Sequence, residues 1–276
     1  MTEVTGLPKF NRMSLVIFWR YTSLDSLEFI SELRRMFKES WYHEMNKLFV
    51  HIPKFDFEAD VRNLRRFLSH THLRFPLLTD VNGIIWREFG SPLIPSLVVV
   101  GTDGSVLYEH YGPGGRYFLL TALNDIVGRM TPRGPQPLKV ILKDFVEFRA
   151  RNSISITKTV EFQNGLDGVS SNVKLGTGEY IFFEGGRENW AEFEFRGRSL
   201  YVVSAPVERE ARLFFEINSE PVKTHMLGDD LIKSTEGTYV RVDMPRLYHV
   251  ANGGWGLHSV RIESRDALRL YSIIFR

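Results

Sequence analysis

Two serines, Ser23 and Ser26, stand in a Ser-x-x-Ser pattern directly after a short apolar run, at the predicted start of a helix. A serine acts as a nucleophile only when a base removes its proton and a donor set stabilises the oxyanion. His51, at the end of the next predicted strand, is the nearest candidate base. The simpler interpretation, which we favour, is that Ser23 caps the helix, because serine is a preferred N-cap residue and Asp25 and Glu28 suit the helix dipole.

The 276-residue chain contains no cysteine. Disulfide bonds, thiolate metal sites and cysteine nucleophiles are therefore excluded. A serine hydroxyl stays protonated at neutral pH and forms no counterpart of a disulfide, so the Ser23 and Ser26 pair cannot carry thiol chemistry. We expect no catalytic residue, no metal site and no cofactor.

Composition indicates a globular protein with well-filled cores, since 43% of the residues are hydrophobic and 13% are aromatic. The formal net charge of +2 does not favour a nucleic-acid surface or a polybasic membrane surface. The first 20 residues hold only a short apolar run, too short for a signal sequence or a membrane span. We expect a soluble, cytoplasmic protein.

The first half of the chain alternates strand and helix patterns. Apolar residues recur three and four positions apart from Leu24 to Trp41, as one face of a helix requires. Thr102-Asp103-Gly104 is a strong hairpin signal between two β-rich runs. The other predicted elements are strands at 14–19 and 47–52 and helices at 58–71, 81–90 and 117–130. The order β-α-β-α-α-β-β-α predicts a central mixed sheet with helices on both faces.

Three prolines and a glycine in residues 131–137 predict a linker. The predicted organisation is a first domain at 1–130, a linker and connecting segment at 131–150, and a second domain at 151–276. The second domain consists of short β-rich runs separated by glycine-rich turns, with clean alternation of apolar and polar residues at 191–196. This pattern is typical of an antiparallel sandwich or jelly roll.

The stretch Phe18-Trp19-Arg20-Tyr21-Thr22-Ser23-Leu24-Asp25-Ser26 resembles the F-W-x-Y-T-C-x-x-C motif of thioredoxin-fold domains of the TlpA and DipZ kind. Both motif cysteines are serines here. Residues 50–58, VHIPKFDFE, are similar to that family's V-H-T-P-E-F-x-F-E run, and Pro95 stands at the place of its cis-proline. Residues 242–250 and 256–275 resemble the β-rich domain appended in DipZ-type proteins, which is often described as carbohydrate-binding-like.

The resemblance implies a cis Ile94-Pro95 bond beside Ser23 and Ser26. It also implies a surface for an extended polypeptide, with Trp86 nearby, formed by Trp19, Tyr21, Thr22, Ile94 and Pro95. A purely structural tight turn at Pro95 is the alternative to a retained peptide groove.

The predicted function is therefore binding or scaffolding of a protein or peptide by a redox-inactive thioredoxin-like domain. The alternative is a thiol-disulfide oxidoreductase of the DipZ and TlpA kind, represented here by a cysteine-to-serine form. In the second domain Trp255 is a candidate sugar-stacking residue that we expect to be partly exposed. Trp190 and Tyr180 also lie near glycine-rich turns, and core packing is the alternative role for all three aromatic residues.

Overall fold

The computed structural model describes residues 12–36, 45–130, 158–161, 169–171, 174–175 and 180–276. Backbone contacts divide the chain into two compact units, Met1–Ser153 and Ile154–Arg276, which are treated separately below. The predicted linker at 131–150 lies outside the described residues, as do Phe37 and Trp41 of the first predicted helix.

The N-terminal unit contains five strands and five helices within its described residues. In chain order these are β1 (Ser14–Trp19), α1 (Leu24–Met36), β2 (Asn46–His51), α2 (Asp56–Ala59), α3 (Val61–His70), β3 (Leu77–Thr79), α4 (Ile84–Phe89), β4 (Ser96–Val100), β5 (Val106–Tyr111) and α5 (Arg116–Met130).

The five strands form one mixed sheet in the order β3-β2-β1-β4-β5. Strands β1, β2 and β3 are parallel, whereas β4 is antiparallel to both β1 and β5. Every residue of β1 is buried, because this strand lies at the centre of the sheet. The arrangement is a thioredoxin-like fold, as predicted.

Helices cover both faces of this sheet. On one face Phe18 packs edge-on against Trp86 and Phe89 of α4. On the opposite face Trp19 lies near Phe67 of α3, and Phe29 of α1 stacks on His110 of β5. The end of β1 is therefore enclosed from both sides.

Two features of the N-terminal unit differ from the sequence-based expectation. Residues Leu77–Thr79 form a third parallel strand, which pairs with β2, where no strand was expected. The helix expected at 58–71 is divided into α2 and α3 at Asp60, whose side chain accepts a hydrogen bond from the Arg62 backbone N–H at 2.9 Å and so caps α3. An internal capping residue ends one helix and starts the next.

The C-terminal unit consists of antiparallel strands, as predicted. They are β6 (Lys158–Glu161), β7 (Val169–Ser171), β8 (Lys174–Leu175), β9 (Ile181–Phe183), β10 (Asn189–Pro206), β11 (Ala211–Ile217), β12 (Glu220–Pro221), β13 (Leu231–Ser234), β14 (Gly237–Val242), β15 (Arg246–Ser264) and β16 (Leu268–Phe275). The main path of the sheet runs β13-β14-β11-β15-β10-β16-β9-β8.

Two long strands, β10 and β15, organise this β-sandwich. Their pairing register shifts between Gly197 and Ser199 and again between Leu200 and Tyr201, and such bulges bend a strand. A Cβ at Gly197 would lie 2.9 Å from the Arg276 carbonyl oxygen, so only glycine lets the last residue approach this closely. Side chains of β9, β10, β11, β13, β14, β15 and β16 then share one core.

Within the part of the chain that the structure describes, no helix is both long enough and apolar enough to cross a membrane.

Candidate functional site

Ser23 and Ser26 hold the turn between β1 and α1. The Ser23 Oγ accepts a hydrogen bond from the Ser26 backbone N–H at 3.3 Å, which is the N-cap geometry predicted from the sequence. The buried Ser26 Oγ accepts one from the Arg20 backbone N–H, also at 3.3 Å. Both hydroxyls therefore satisfy backbone donors of the turn.

A buried carboxylate, Glu58, lies beneath this turn. It accepts hydrogen bonds from the Thr22 hydroxyl at 2.9 Å and from the backbone N–H groups of Lys54 and Phe55 at 2.8 and 3.0 Å. The Arg20 Nε atom lies 3.9 Å from the Glu58 Oε2 atom and donates to the Ile52 carbonyl at 3.1 Å. Glu58 thus ties the turn after β1 to the segment after β2.

His51 occupies the same buried region. Its Nε2 atom lies 3.7 Å from the Glu58 Oε1 atom, and its ring stacks on Tyr21 at 5.2 Å and meets Trp19 edge-on at 5.5 Å. Neither ring nitrogen has a hydrogen-bond partner among the described residues. His51 contacts Glu58 and aromatic rings. Among the described residues, no hydrogen bond joins His51 to Ser23. The geometry therefore provides no serine–base pair.

The segment 91–96 lies at the same end of the sheet as the Ser23 turn, because Phe18 of β1 pairs with Ser96 of β4. The Ile94-Pro95 peptide bond is cis, which confirms the prediction. The Ser91 and Ser96 hydroxyls, both buried, share a hydrogen bond of 2.7 Å that closes the segment. The Pro95 carbonyl accepts from the Gly112 N–H at 2.8 Å.

Ile94 and Leu93 give this segment its available surface. Neither the N–H nor the C=O of Ile94 has a hydrogen-bond partner among the described residues. The Ile94 side chain is half-buried against the apolar cluster beneath α4, whereas Leu93 is 54% exposed. An unpaired peptide group beside an exposed leucine is suited to an extended chain.

Four residues expected on the binding surface lie inside the unit, and one of them is the cis-proline Pro95, which is buried. Trp19 and Tyr21 have no exposed area and Thr22 is 4% exposed. The reason is that α3 covers this face of the sheet, with Phe67 stacked on Tyr21 at 4.9 Å, and that Glu58 draws the Thr22 hydroxyl inward. These residues shape the turn, and the accessible apolar surface beside it is that of Leu93 and Ile94.

Sequence reasoning missed Glu58 and Leu93. Glu58 lies in the quoted run 50–58, but a carboxylate in the first turn of a helix is normally exposed, and its burial depends on Thr22, 36 positions earlier. Leu93 carried a usable signal, since it stands in Pro92-Leu93-Ile94-Pro95, a proline-flanked apolar pair in a loop.

In the C-terminal unit Trp255 is 62% exposed, which confirms the expectation for this residue. Trp190 is half-buried, with the Arg261 guanidinium 4.7 Å from its ring centre. Tyr180 has Arg269 at 5.4 Å and Tyr271 at 5.3 Å. Trp255 therefore presents the largest open aromatic surface of these three residues.

No group of three or more His, Asp or Glu side chains is placed to hold a metal ion in the described ranges. The fold defines a thioredoxin-like domain, with Ser23 and Ser26 in the turn between β1 and α1, followed by a β-sandwich unit.

Comparison with known proteins gives partial matches. A scan against known protein families finds no match. The chain is 28% identical over 107 residues to Protein SUPPRESSOR OF QUENCHING 1, chloroplastic, of Arabidopsis thaliana, covering 38% of this chain and 10% of that protein. It is 24% identical over 111 residues to NHL repeat-containing protein 2 of Homo sapiens, covering 38% of this chain and 15% of that protein. The chain thus spans less than a fifth of the length of these relatives.

Two solved structures with similarity are StoA from Bacillus subtilis and a thiol-disulfide isomerase from Corynebacterium glutamicum. The StoA match has 16% identity and a TM-score of 0.37, and covers 42% of this chain and 85% of StoA. The isomerase match has 13% identity and a TM-score of 0.37, and covers 45% of this chain and 88% of the isomerase chain. The thioredoxin-like assignment itself rests on the strand order and helix placement described above.

Proposed function

We propose that the N-terminal unit is a redox-inactive thioredoxin-like domain, of the TlpA and DipZ kind, that binds an extended segment of another polypeptide. The binding surface is the loop 92–95 together with the adjacent Ser23 turn. The observation that carries the proposal is the unpaired Ile94 backbone beside the exposed Leu93 side chain.

Main-chain pairing supplies affinity without strong sequence specificity. The Ile94 N–H can donate a hydrogen bond to an incoming chain and the Ile94 C=O can accept one from it, as in strand addition. Leu93 supplies apolar contact area for a side chain of that segment. The hydrogen bond between Ser91 and Ser96 fixes the loop at its base, so little conformational entropy is lost on binding.

Loss of the redox pair suits a role in binding. With no sulfur at positions 23 and 26, no mixed disulfide with a bound chain forms, and release depends only on non-covalent contacts. The hydroxyls of both serines are instead used to hold the turn. We assign the C-terminal unit the role of a carbohydrate-binding or scaffolding module, on its likeness to the second domain of DipZ-type proteins, and we place the protein in the cytoplasm.

The alternative is a thiol-disulfide oxidoreductase whose natural form has cysteines at 23 and 26. Its support is the N-cap geometry, since the cap position at a helix N-terminus is where a thiolate is stabilised. Sequencing of the native gene across these two codons separates the alternatives.

Binding is tested with fluorescein-labelled, reduced and carboxymethylated α-lactalbumin as an unfolded polypeptide, followed by fluorescence anisotropy. We expect saturable binding that Leu93→Asp weakens at least about tenfold, since a charge replaces apolar contact area. Leu107→Asp is the matched control, because Leu107 is an exposed leucine on β5, and it leaves affinity unchanged. No saturable binding, or equal losses in the two variants, would overturn the proposal.

A further inference from the structure

The C-terminal unit has a cavity of about 300 Å³ on its surface. It lies where β10 and β11 begin, where β15 ends and beside the turn between β13 and β14. Its volume is at the lower end of the range of small-ligand sites, about 300 to 1,000 Å³, and suits one ring-sized group.

A row of side chains paired across strands runs beside this cavity, with four apolar members and the carboxylate Glu263 between the first two of them. Glu263 of β15 pairs across the sheet with Trp190 of β10 on one side and with Phe214 of β11 on the other. Phe214 in turn pairs with Tyr239 of β14, and Tyr239 with Ile232 of β13. The Phe214 and Tyr239 rings lie 5.3 Å apart. Because residues paired across strands point to the same face, the row spans five strands on one face of the sheet.

The cavity wall combines both signs of charge. It holds four carboxylates and two guanidinium groups: Glu188, Glu236, Glu263, Asp266, Arg212 and Arg265. An anion would meet the four carboxylates, and a cation would meet the two arginines. A hydroxyl group suits such a wall, because it donates to a carboxylate and accepts from a guanidinium at the same time.

Several of these groups are held in place within the wall. The Arg212 Nη1 atom donates to the Glu236 Oε2 atom at 2.6 Å, and the Arg212 backbone N–H donates to the Asp266 carboxylate at 2.7 Å. The buried Ser264 hydroxyl donates to the Arg212 carbonyl at 2.9 Å. The Arg212 guanidinium also lies 5.7 Å from the centre of the Phe214 ring. The Arg212 guanidinium is therefore fixed beside Phe214, the aromatic residue of the cavity wall.

We propose that this cavity binds one sugar residue of an uncharged oligosaccharide, with further residues of the oligosaccharide lying along the row from Trp190 to Tyr239. This inference rests on the proposed carbohydrate-binding role of the C-terminal unit and gives that role a site. Sugar rings need apolar contact on a ring face and paired donors and acceptors at the hydroxyls, and the two halves of this surface supply them.

The site differs from the one expected from sequence. Trp255 is exposed on β15, at the register shift next to the Gly197–Gly256 pair, and it is not part of the cavity wall. A sugar bound at Trp255 could stack on this one residue. It would lack the carboxylates and guanidinium groups that line the cavity.

Isothermal titration calorimetry of the full chain with the hexasaccharides of β-1,4-linked glucose, N-acetylglucosamine and xylose tests the inference, with hexalysine as the cationic probe. We expect at least one hexasaccharide to bind and hexalysine not to bind. Glu236→Ala should weaken the hexasaccharide about tenfold, because it removes an acceptor and releases Arg212. Glu220→Ala is the matched control: Glu220 and Glu236 are 62% and 61% exposed, and each is paired with one basic side chain.

Phe214→Ala gives a second measure, with circular dichroism to establish that the variant is folded. One result would overturn the cavity as the binding site and leave the carbohydrate role intact. In that result Glu236→Ala and Phe214→Ala still bind the hexasaccharide, whereas Trp255→Ala does not. Binding of hexalysine alone, or of no probe, would overturn both. Polypeptide binding at Leu93 is measured with a different ligand, so its outcome is independent of these results.

Discussion

The hydroxyl groups of Ser23 and Ser26 hold the turn after β1. The Ser23 hydroxyl caps α1 and the Ser26 hydroxyl satisfies the Arg20 N–H. Beneath them Glu58 collects three hydrogen bonds without any exposed area. At the residue scale, the site is a stabilised turn beside an apolar loop.

Ser23→Ala should lower the free energy of unfolding by about 1 kcal/mol, because the Ser26 N–H loses its cap acceptor. Urea unfolding of the N-terminal unit measures the change. Ser69→Ala is the control, since Ser69 is exposed near the end of α3 and its replacement removes no cap. Equal effects of the two substitutions would show that Ser23 does not cap α1.

Glu58→Gln should lower the free energy of unfolding by about 2 kcal/mol. The amide keeps one acceptor oxygen but presents N–H donors to a site lined by the Thr22 hydroxyl and two backbone N–H groups. The exposed Glu88 provides the comparison, and Glu88→Gln should change stability by less than about 0.5 kcal/mol. A Glu58→Gln protein as stable as the parent would mean that the carboxylate does not hold the turn.

His110 should make the N-terminal unit sensitive to mild acid. Burial lowers the pKa of His110 below the ordinary histidine value of 6.5, and this outweighs the opposing effect of hydrogen bonds with the Gly114 and Gly112 backbone. The unfolded chain therefore binds a proton more readily than the folded one. The stability that neutral His110 contributes is present above about pH 6.5 and is lost as the pH falls through the lowered pKa.

Hydrogen exchange of the β1 amides at pH 7 and pH 5 measures this loss. The protein should lose more protection on acidification than the His110→Gln variant does. His70→Gln, at the exposed end of α3, should behave like the parent protein. An identical loss in the parent and in His110→Gln would contradict the assignment.

Among the helices, strands and turns, the local sequence pattern predicted those that are determined by residues close in the sequence. Strand β1, the Asp103-Gly104 hairpin, the Ser23 cap and the alternation along β10 follow from residue type and spacing. The short strand β3 was missed because its three residues pair with β2, and nothing in their own pattern shows that neighbour. The burial of Trp19 and Tyr21 was missed because it depends on α3. The local sequence around these two residues does not show that α3 packs over them.

A close approach between two elements gives a prediction at this scale. A Cβ at Gly228 would collide with the His249 carbonyl oxygen, where the segment before β13 crosses β15. Gly228→Ala should therefore destabilise the C-terminal unit by about 1 to 3 kcal/mol, through displacement of backbone. Gly254→Ala has no heavy atom within 4 Å of its Cβ and should have little effect on thermal unfolding. Similar melting temperatures for the two variants would contradict this packing.

At the scale of the whole molecule, each unit has its own apolar core and its own candidate surface. The N-terminal unit offers the Leu93 and Ile94 loop, and the C-terminal unit offers the cavity beside the row from Trp190 to Tyr239. The sequence predicted two fold classes and a binding role without chemistry. It named Ile94 for the first surface and Trp190 as a candidate in the second unit. It did not predict Leu93 or the cavity wall, because exposure at these positions depends on contacts between distant segments.

Binding of unfolded polypeptide at the loop 92–95 can be observed residue by residue. The isotope-labelled chain is titrated with reduced, carboxymethylated α-lactalbumin, and the backbone amide resonances are followed. We predict saturable shifts of the Leu93, Ile94 and Ser23 amides with a common midpoint, while the amides of β5 stay unchanged. Amides of this loop that do not move at saturating polypeptide, or shifts confined to other parts of the chain, would contradict this prediction.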